Sequence, residues 1–223
     1  MKKILSIILT LTLSATVFAQ PLPKKLEHNE KMAWWRNAKF GMFVHWGPYC
    51  LYGGVYNGFN QRRGGAEWIM NRCKIPVREY RAKACTFNPV DFNAEELVLT
   101  AKNAGMKYII FTTKHHDGFC LWDSKYTEYD VASSGNHTDV VEAVAKACKK
   151  YGIGLGLYYS LWDRHEPCYQ DEDKKVYIQY MKNQLQELMT GYGPVHELWF
   201  DGAWDRKTED WHLQEVYDFV KSM

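Results

Sequence analysis

Asp201 stands in the run Trp199-Phe200-Asp201-Gly202, two residues after an indole. In an extended strand positions i and i+2 face one side, so Trp199 and Asp201 share a face and Phe200 takes the other. A carboxylate held beside an indole at a strand's C-terminal end can attack an electrophilic carbon from a fixed, partly desolvated position. The competing reading makes Asp201 the cap of the turn at Gly202, because Asp-Gly is a common turn pair. His45 follows an apolar run and precedes Trp46-Gly47, while His115 and His116 follow the run KYIIFTT. Two adjacent imidazoles behind a buried strand cost desolvation or charging unless a site uses them. Strand alternation predicts that at most one of the pair meets a ligand directly while the other braces it. Tyr158 continues a face on which Gly152, Gly154 and Gly156 recur at alternate positions, the mark of close packing or a bend. Glu67 and Trp68 offer a carboxylate and an indole that could fold over the mouth, or equally a surface Glu beside a buried Trp.

Positioning these groups requires strands that end near one another. Apolar runs predict four strands, at 40–45, 107–113, 153–160 and 197–200, the second and third apolar enough to be covered on both faces. Between them, Asn93 caps a helix over 94–103 that stops at Gly105, Asp139 starts one over 140–151 that stops at Gly152, and a helix over 174–190 stops at Gly191. Short helices at 67–72 and 77–84 sit on a long excursion, and Trp211, Val216, Tyr217 and Val220 form the stripe of a last amphipathic helix. Strand-helix alternation with buried strands means an α/β fold, either a doubly wound sheet or a barrel. No Gly-rich phosphate loop follows the first strand, and polar and aromatic groups stand at successive strand ends, which favours a partial TIM-like (β/α)8 barrel. Four strand-helix units amount to the first half of such a barrel, which usually takes about 250 residues.

The composition agrees with a packed domain. Of 223 residues, 46% are hydrophobic and 24% charged, which excludes disorder and low complexity. A formal charge of +2 with interspersed signs gives no basic stripe, so nucleic acid is not expected as a partner. Nine Trp and 15 Tyr exceed core needs and suit a site for flat ligand faces, sugars included. Lys2 and Lys3, an apolar stretch, and Val17-Phe18-Ala19 read as a secretory signal over 1–19, leaving 20–223 as the N-terminal half of a catalytic α/β barrel domain and predicting export to a periplasmic or extracellular space. The leader is too short to span a bilayer and nothing later is longer, so no membrane span is expected. The six cysteines lack metal-ligand spacing and are expected to be mostly buried free thiols, and Asn136-His137-Thr138 is a glycosylation sequon.

In order, FGMFVHWG, GAEW, TTKHHDGFCLWDSKYT, GLGLYYS and ELWFDG resemble glycoside hydrolase family 29, the retaining α-L-fucosidases. The resemblance runs from about Trp34 to Asp201 and implies a barrel and a double-displacement reaction on fucosylated glycans without metal or cofactor. It makes Asp201 the nucleophile, His45, His115 and His116 the partners of fucose hydroxyls, Glu67 and Trp68 further sugar contacts, Tyr158 a neighbour of the nucleophile, and Trp199 a packing surface for the sugar. The family's acid/base carboxylate and C-terminal β-sandwich lie downstream. Asp205, Glu209, Asp210, Glu215 and Asp218 read instead as solvent-facing helix residues, so the chain is expected to be truncated and to lack its proton donor. Two other readings stand: a non-catalytic carbohydrate-binding fragment, and a metal-dependent barrel hydrolase, whose sites usually begin with His-x-His.

Overall fold

The computed structural model describes residues 30–61, 64–135 and 137–223. The sequon's Asn136 and the predicted leader over 1–19 lie outside them. The chain divides into two compact units, 1–37 and 38–223. In the first, a turn at Glu30–Met32 opens α1 (Ala33–Ala38), whose last residue enters the second unit.

The second unit runs β1 (Gly41–Val44), a hairpin of β2 (Val55–Tyr56) and β3 (Phe59–Asn60), then α2 (Ile69–Arg72), α3 (Val77–Ala84), α4 (Ala94–Asn103), β4 (Tyr108–Lys114), α5 (Val140–Tyr151), β5 (Gly154–Ser160), α6 (Lys174–Gly191), β6 (Val195–Asp201) and α7 (Leu213–Lys221). Strands β1, β4, β5 and β6 form one parallel sheet in that order. Each crossover is closed by a helix with a defined start. The Asn93 Oδ1 accepts from the Glu96 amide at 3.0 Å, Asp139 Oδ1 from the Glu142 amide at 2.7 Å, and Asp173 Oδ1 from the Lys175 amide at 3.0 Å. Asp139 does more than cap, since its Oδ2 also accepts from the Tyr192 hydroxyl at 2.7 Å and so ties α5 to the end of α6.

Pairing register sorts the sheet into two faces. Ile109 and Phe111 of β4 and Leu155, Leu157 and Tyr159 of β5 join Val98 and Ala101 of α4 and Val140, Val144 and Cys148 of α5 in the hydrophobic core. Burying each of the larger aliphatic chains contributes about 1.5–3 kcal/mol, so this face holds the helices on. The opposite face carries Phe43, Ile110, Gly156 and Glu197 in one row, and Thr112, Tyr158 and Trp199 in the next. Phe200, on the helix side, contacts Tyr159 and Tyr217, whereas Trp199 lies against Phe43 at 5.1 Å, the division that alternation predicts.

Strand β4 breaks its own alternation. Thr112 pairs with Tyr158, yet Lys114 pairs with Tyr159 rather than Ser160, so a β-bulge inserts a residue at Thr113. Lys114 thereby turns to the helix side, completely buried, and the chain beyond it is re-aimed.

Several expectations shift. Strand β1 ends at Val44, one residue before His45, and β6 is longer than 197–200. Gly152, with φ 71°, closes α5 as expected, and so does not share the strand face of Gly154 and Gly156. The β2–β3 hairpin lies within the excursion and is too short to have shown a period. All six cysteines are free, but the expectation that most are buried fails: Cys120 and Cys148 are buried, Cys73 and Cys168 are half-buried, and Cys50, in the short turn Pro48–Tyr52, and Cys85, directly after α3, are exposed. Among the described residues no helix is long and apolar enough to cross a membrane.

Candidate active site

The ends of β1, β4, β5 and β6 bring the predicted groups together. Asp201 closes β6 with its side chain one quarter exposed. Its Oδ2 accepts from the Tyr158 hydroxyl at 2.7 Å and its Oδ1 from the Gly202 amide at 2.8 Å. Burial, then the bond to Asp201, pushes the Tyr158 phenol far above its usual range, so it remains a donor. Gly202 has φ 85°, and a Cβ there would fall 2.8 Å from the Trp162 Cβ and 3.0 Å from its backbone nitrogen. Glycine is therefore required for the turn that lets Asp201 approach the β5 loop.

His116 lies 3.9 Å from Asp201, measured from Nε2 to Oδ2. Its Nδ1 is 2.7 Å from the Ser160 Oγ, and that hydroxyl spends its single proton on the Trp162 carbonyl at 2.6 Å. The Ser160 oxygen must then accept, which places the imidazole proton on Nδ1 and leaves Nε2 as a bare acceptor facing the carboxylate. Burial lowers the His116 pKa to about 4 despite the opposing pull of Asp201, so the ring is neutral. His115 stacks on Tyr158 with centroids 5.2 Å apart and planes within 10°. Burial, reinforced by His116 and His45, takes its pKa to about 2. Both His115 Nδ1 and His116 Nε2 are buried without a hydrogen-bond partner. A buried polar atom left unpaired costs about 1–3 kcal/mol, a cost that a hydroxyl-bearing ligand could remove.

His115 and His116 lie just beyond β4, where strand alternation no longer separates them. Their rings are 4.2 Å apart and both border the Asp201 basin, because the bulge ends regular alternation at Lys114 and the pair sits in the turn beyond it. His45, exposed just past β1, lies 4.8 Å from Tyr158 and 5.2 Å from His115. Burial lowers its pKa against the upward pull of Glu67 and Asp201. Glu67 is half-buried in the short turn Ala66–Trp68, close enough to act on His45, and Trp68 stands edge-on to His116 at 5.0 Å. Trp199, 43% exposed, walls the side nearest Phe43.

Three groups were missed by sequence reasoning. Trp204, 60% exposed, meets His116 edge-on at 5.6 Å and stacks near Trp68 at 6.2 Å. Trp162 lies 5.1 Å from His116, and Ser160 sets the His116 tautomer. Nearness to Asp201 in the sequence is the one local sign of Trp204; its approach to His116 depends on the turn after Gly202. Asp205 is exposed, as read, and also accepts from the Tyr169 hydroxyl at 2.6 Å because its short turn folds back over the loop before α6.

Among the described residues, His115, His116 and Asp201 each offer a donor atom, all within 4.8 Å of one another, and form a group that could hold a metal ion. Asp201 already accepts from a phenol and an amide, and the two imidazoles are consecutive rather than His-x-His. The geometry more readily serves a ligand rich in hydroxyl groups, held by neutral imidazoles and flat indoles beside a carboxylate.

Residues 10–223 match the profile of the Alpha-L-fucosidase family. An "Alpha-L-fucosidase 1" of Arabidopsis thaliana is 41% identical over 172 residues, covering 76% of this chain and 29% of the relative. A Bacteroides thetaiotaomicron α-L-fucosidase of glycoside hydrolase family 29, solved as a trapped covalent intermediate with 2-fluoro-fucosyl fluoride, superposes with TM-score 0.77 at 35% identity, covering 85% of this chain and 46% of that one. A Lactobacillus casei α-L-fucosidase, solved with α-L-fucose product, gives TM-score 0.79 at 34% identity, covering 87% and 67%. The chain belongs to the α-L-fucosidase family. It spans less than half the length of the curated relatives it matches.

Proposed function

We propose that this chain carries the nucleophile and the sugar pocket of a retaining α-L-fucosidase, with Asp201 attacking the anomeric carbon of L-fucose to form a covalent fucosyl-enzyme. The carrying observation is the Asp201 carboxylate, oriented by Tyr158 and Gly202 and faced by two neutral imidazoles with unpartnered nitrogens. His45, His115 and His116 take the fucose hydroxyls, Trp68 and Trp199 pack on its apolar surface, Glu67 makes a further polar contact, and the substrates are fucosylated glycans. The four parallel strands are then part of a (β/α)8 barrel, with the site at the strands' C-terminal ends where such barrels keep it. Retaining hydrolysis needs a second carboxyl group about 5–5.5 Å from the first. We place that proton donor outside the described residues, and the leader over 1–19 directs export.

The test is a mechanism-based label whose leaving group needs no proton. Incubated with 2-fluoro-fucosyl fluoride, the full chain should gain one covalent fluorofucosyl group by intact mass spectrometry, with the modified peptide containing Asp201, and Asp201→Ala should gain none. A label on another residue, or equal labelling of the variant, rejects Asp201 as nucleophile. A second reading, a carbohydrate-binding chain without turnover, predicts L-fucose binding by calorimetry with no label at all.

A further inference from the structure

Directly before the two site histidines, and directly after Trp162, stand two charges that the reaction does not use. Lys114 and Asp163 are both at most 1% exposed, and Nζ meets Oδ2 at 3.0 Å. Burial is the largest single influence and works against each charge, but the partner and the neighbouring polar groups together (Tyr159 at Lys114, the His165 and Glu166 amides at Asp163) outweigh it, holding Lys114 above and Asp163 below their usual ranges, so the pair is ionised. The ammonium is also within 3.0 Å of the Tyr159 hydroxyl, 3.2 Å of Gln184 Oε1 and 3.4 Å of the Tyr177 hydroxyl. Its three protons are fully engaged.

An ion pair this deep is weak evidence for stability, because desolvating two charges offsets most of their attraction. Its geometry suggests another use. Lys114 sits at the bulge of β4, so pairing with Asp163 fixes the residue whose rotation to the helix side sends His115 and His116 to the other. The free oxygen of Asp163, Oδ1, accepts from the amides of His165 and Glu166 at 2.9 and 2.8 Å, folding the loop after β5 into a tight turn. In that turn the Arg164 amide donates to the His116 carbonyl at 3.0 Å, and Trp162 presents the carbonyl that fixes the Ser160 proton. Gly118, at φ 81°, would place a Cβ 2.3 Å from Asp163 Oδ1, so the two loops can close only with glycine there.

We propose that the Lys114–Asp163 pair is a positioning device that locks the β4 bulge against the β5 loop and thereby fixes the tautomer and placement of His116. The benefit for sugar binding rests on the fucosidase reading; the effect on His116 does not.

Two paired replacements in the full chain test it: Lys114→Met with Asp163→Leu, which removes both charges and the loop bonds, and Lys114→Met with Asp163→Asn, which keeps an acceptor for the two amides. Either single change strands a buried charge and can unfold the chain, whereas paired apolar replacements are often neutral. Circular dichroism reports folding, 15N imidazole spectra report the His116 tautomer without any ligand, and calorimetry reports L-fucose affinity. We expect both pairs to fold, the Leu pair to lose the single Nδ1-protonated signature and bind L-fucose at least tenfold more weakly, and the Asn pair to recover part of both. A folded Leu pair with the wild-type His116 signature overturns the proposal, as does wild-type affinity in that pair. Failure of both pairs to fold also overturns it, assigning the charges to stability alone. If the wild-type chain binds no L-fucose, the functional reading falls and the imidazole spectra still decide the proposal.

Discussion

The Tyr158 hydroxyl donates to Oδ2 of Asp201 across neighbouring strands, at 2.7 Å, while the Tyr158 ring lies face to face with His115. One side chain thus orients the carboxylate and supports an imidazole of the same basin. A hydrogen bond to a charged acceptor contributes about 1.5–3 kcal/mol. Tyr158→Phe keeps the stacking and removes the bond, so labelling by 2-fluoro-fucosyl fluoride should slow roughly 10- to 100-fold. An unaltered labelling rate would show that Asp201 needs no such orientation.

Gly202→Ala should destabilise the chain by about 2–4 kcal/mol, combining the cost of a left-handed conformation with crowding against Trp162. Urea unfolding followed by tryptophan fluorescence measures this, and a midpoint equal to wild type would contradict the geometry of the turn.

Acid should weaken the fold through the buried histidines. His116, with a folded pKa of about 4, and His115, of about 2, are neutral when folded and charge near pH 6.5 when unfolded. Their contribution is complete above pH 6.5 and is lost as pH falls toward those values. Asp117, raised to about 6 by burial, has the opposite sign, stabilising at acid pH and losing its contribution as pH rises through 6. His116→Asn should flatten the stability profile between pH 6.5 and 4 by up to about 3 kcal/mol. Parallel profiles for the two proteins would mean that His116 is not held neutral.

Purified chain should carry no stoichiometric divalent metal, and EDTA should leave the labelling rate unchanged, since the Asp201 oxygens are engaged by Tyr158 and Gly202. Elemental analysis checks the first point. One zinc or manganese per chain, lost together with labelling on chelation, would favour a metal reading of His115, His116 and Asp201.

Much of this arrangement can be read in the sequence because it follows from period and capping. The apolar runs of β4 and β5, the Asn93 and Asp139 caps, and the shared face of Trp199 and Asp201 are local consequences of residue type. The placement of His115 and His116 is not local. It depends on a bulge at Thr113 that leaves no mark in the hydrophobic pattern and on a buried partner 49 residues away from Lys114. Trp204 was hidden for a similar reason: only folding of the turn after Gly202 brings its ring to His116. The burial of cysteines was overestimated because residue type predicts an average, and the surface turns carrying Cys50 and Cys85 depart from it.

The sheet has a further consequence for handling the protein. β1 and β6 stand at its two margins, with no further strand beside either among the described residues, and Phe40, Phe43 and Trp199 are exposed there. The two margins differ in sequence and shape, so contact between one molecule's β1 and another's β6 would be head-to-tail and could propagate without closing. Association of the 223-residue chain should accordingly yield a ladder of sizes that lengthens with concentration, with turbidity and thioflavin signal rising together, instead of a dimer of fixed mass.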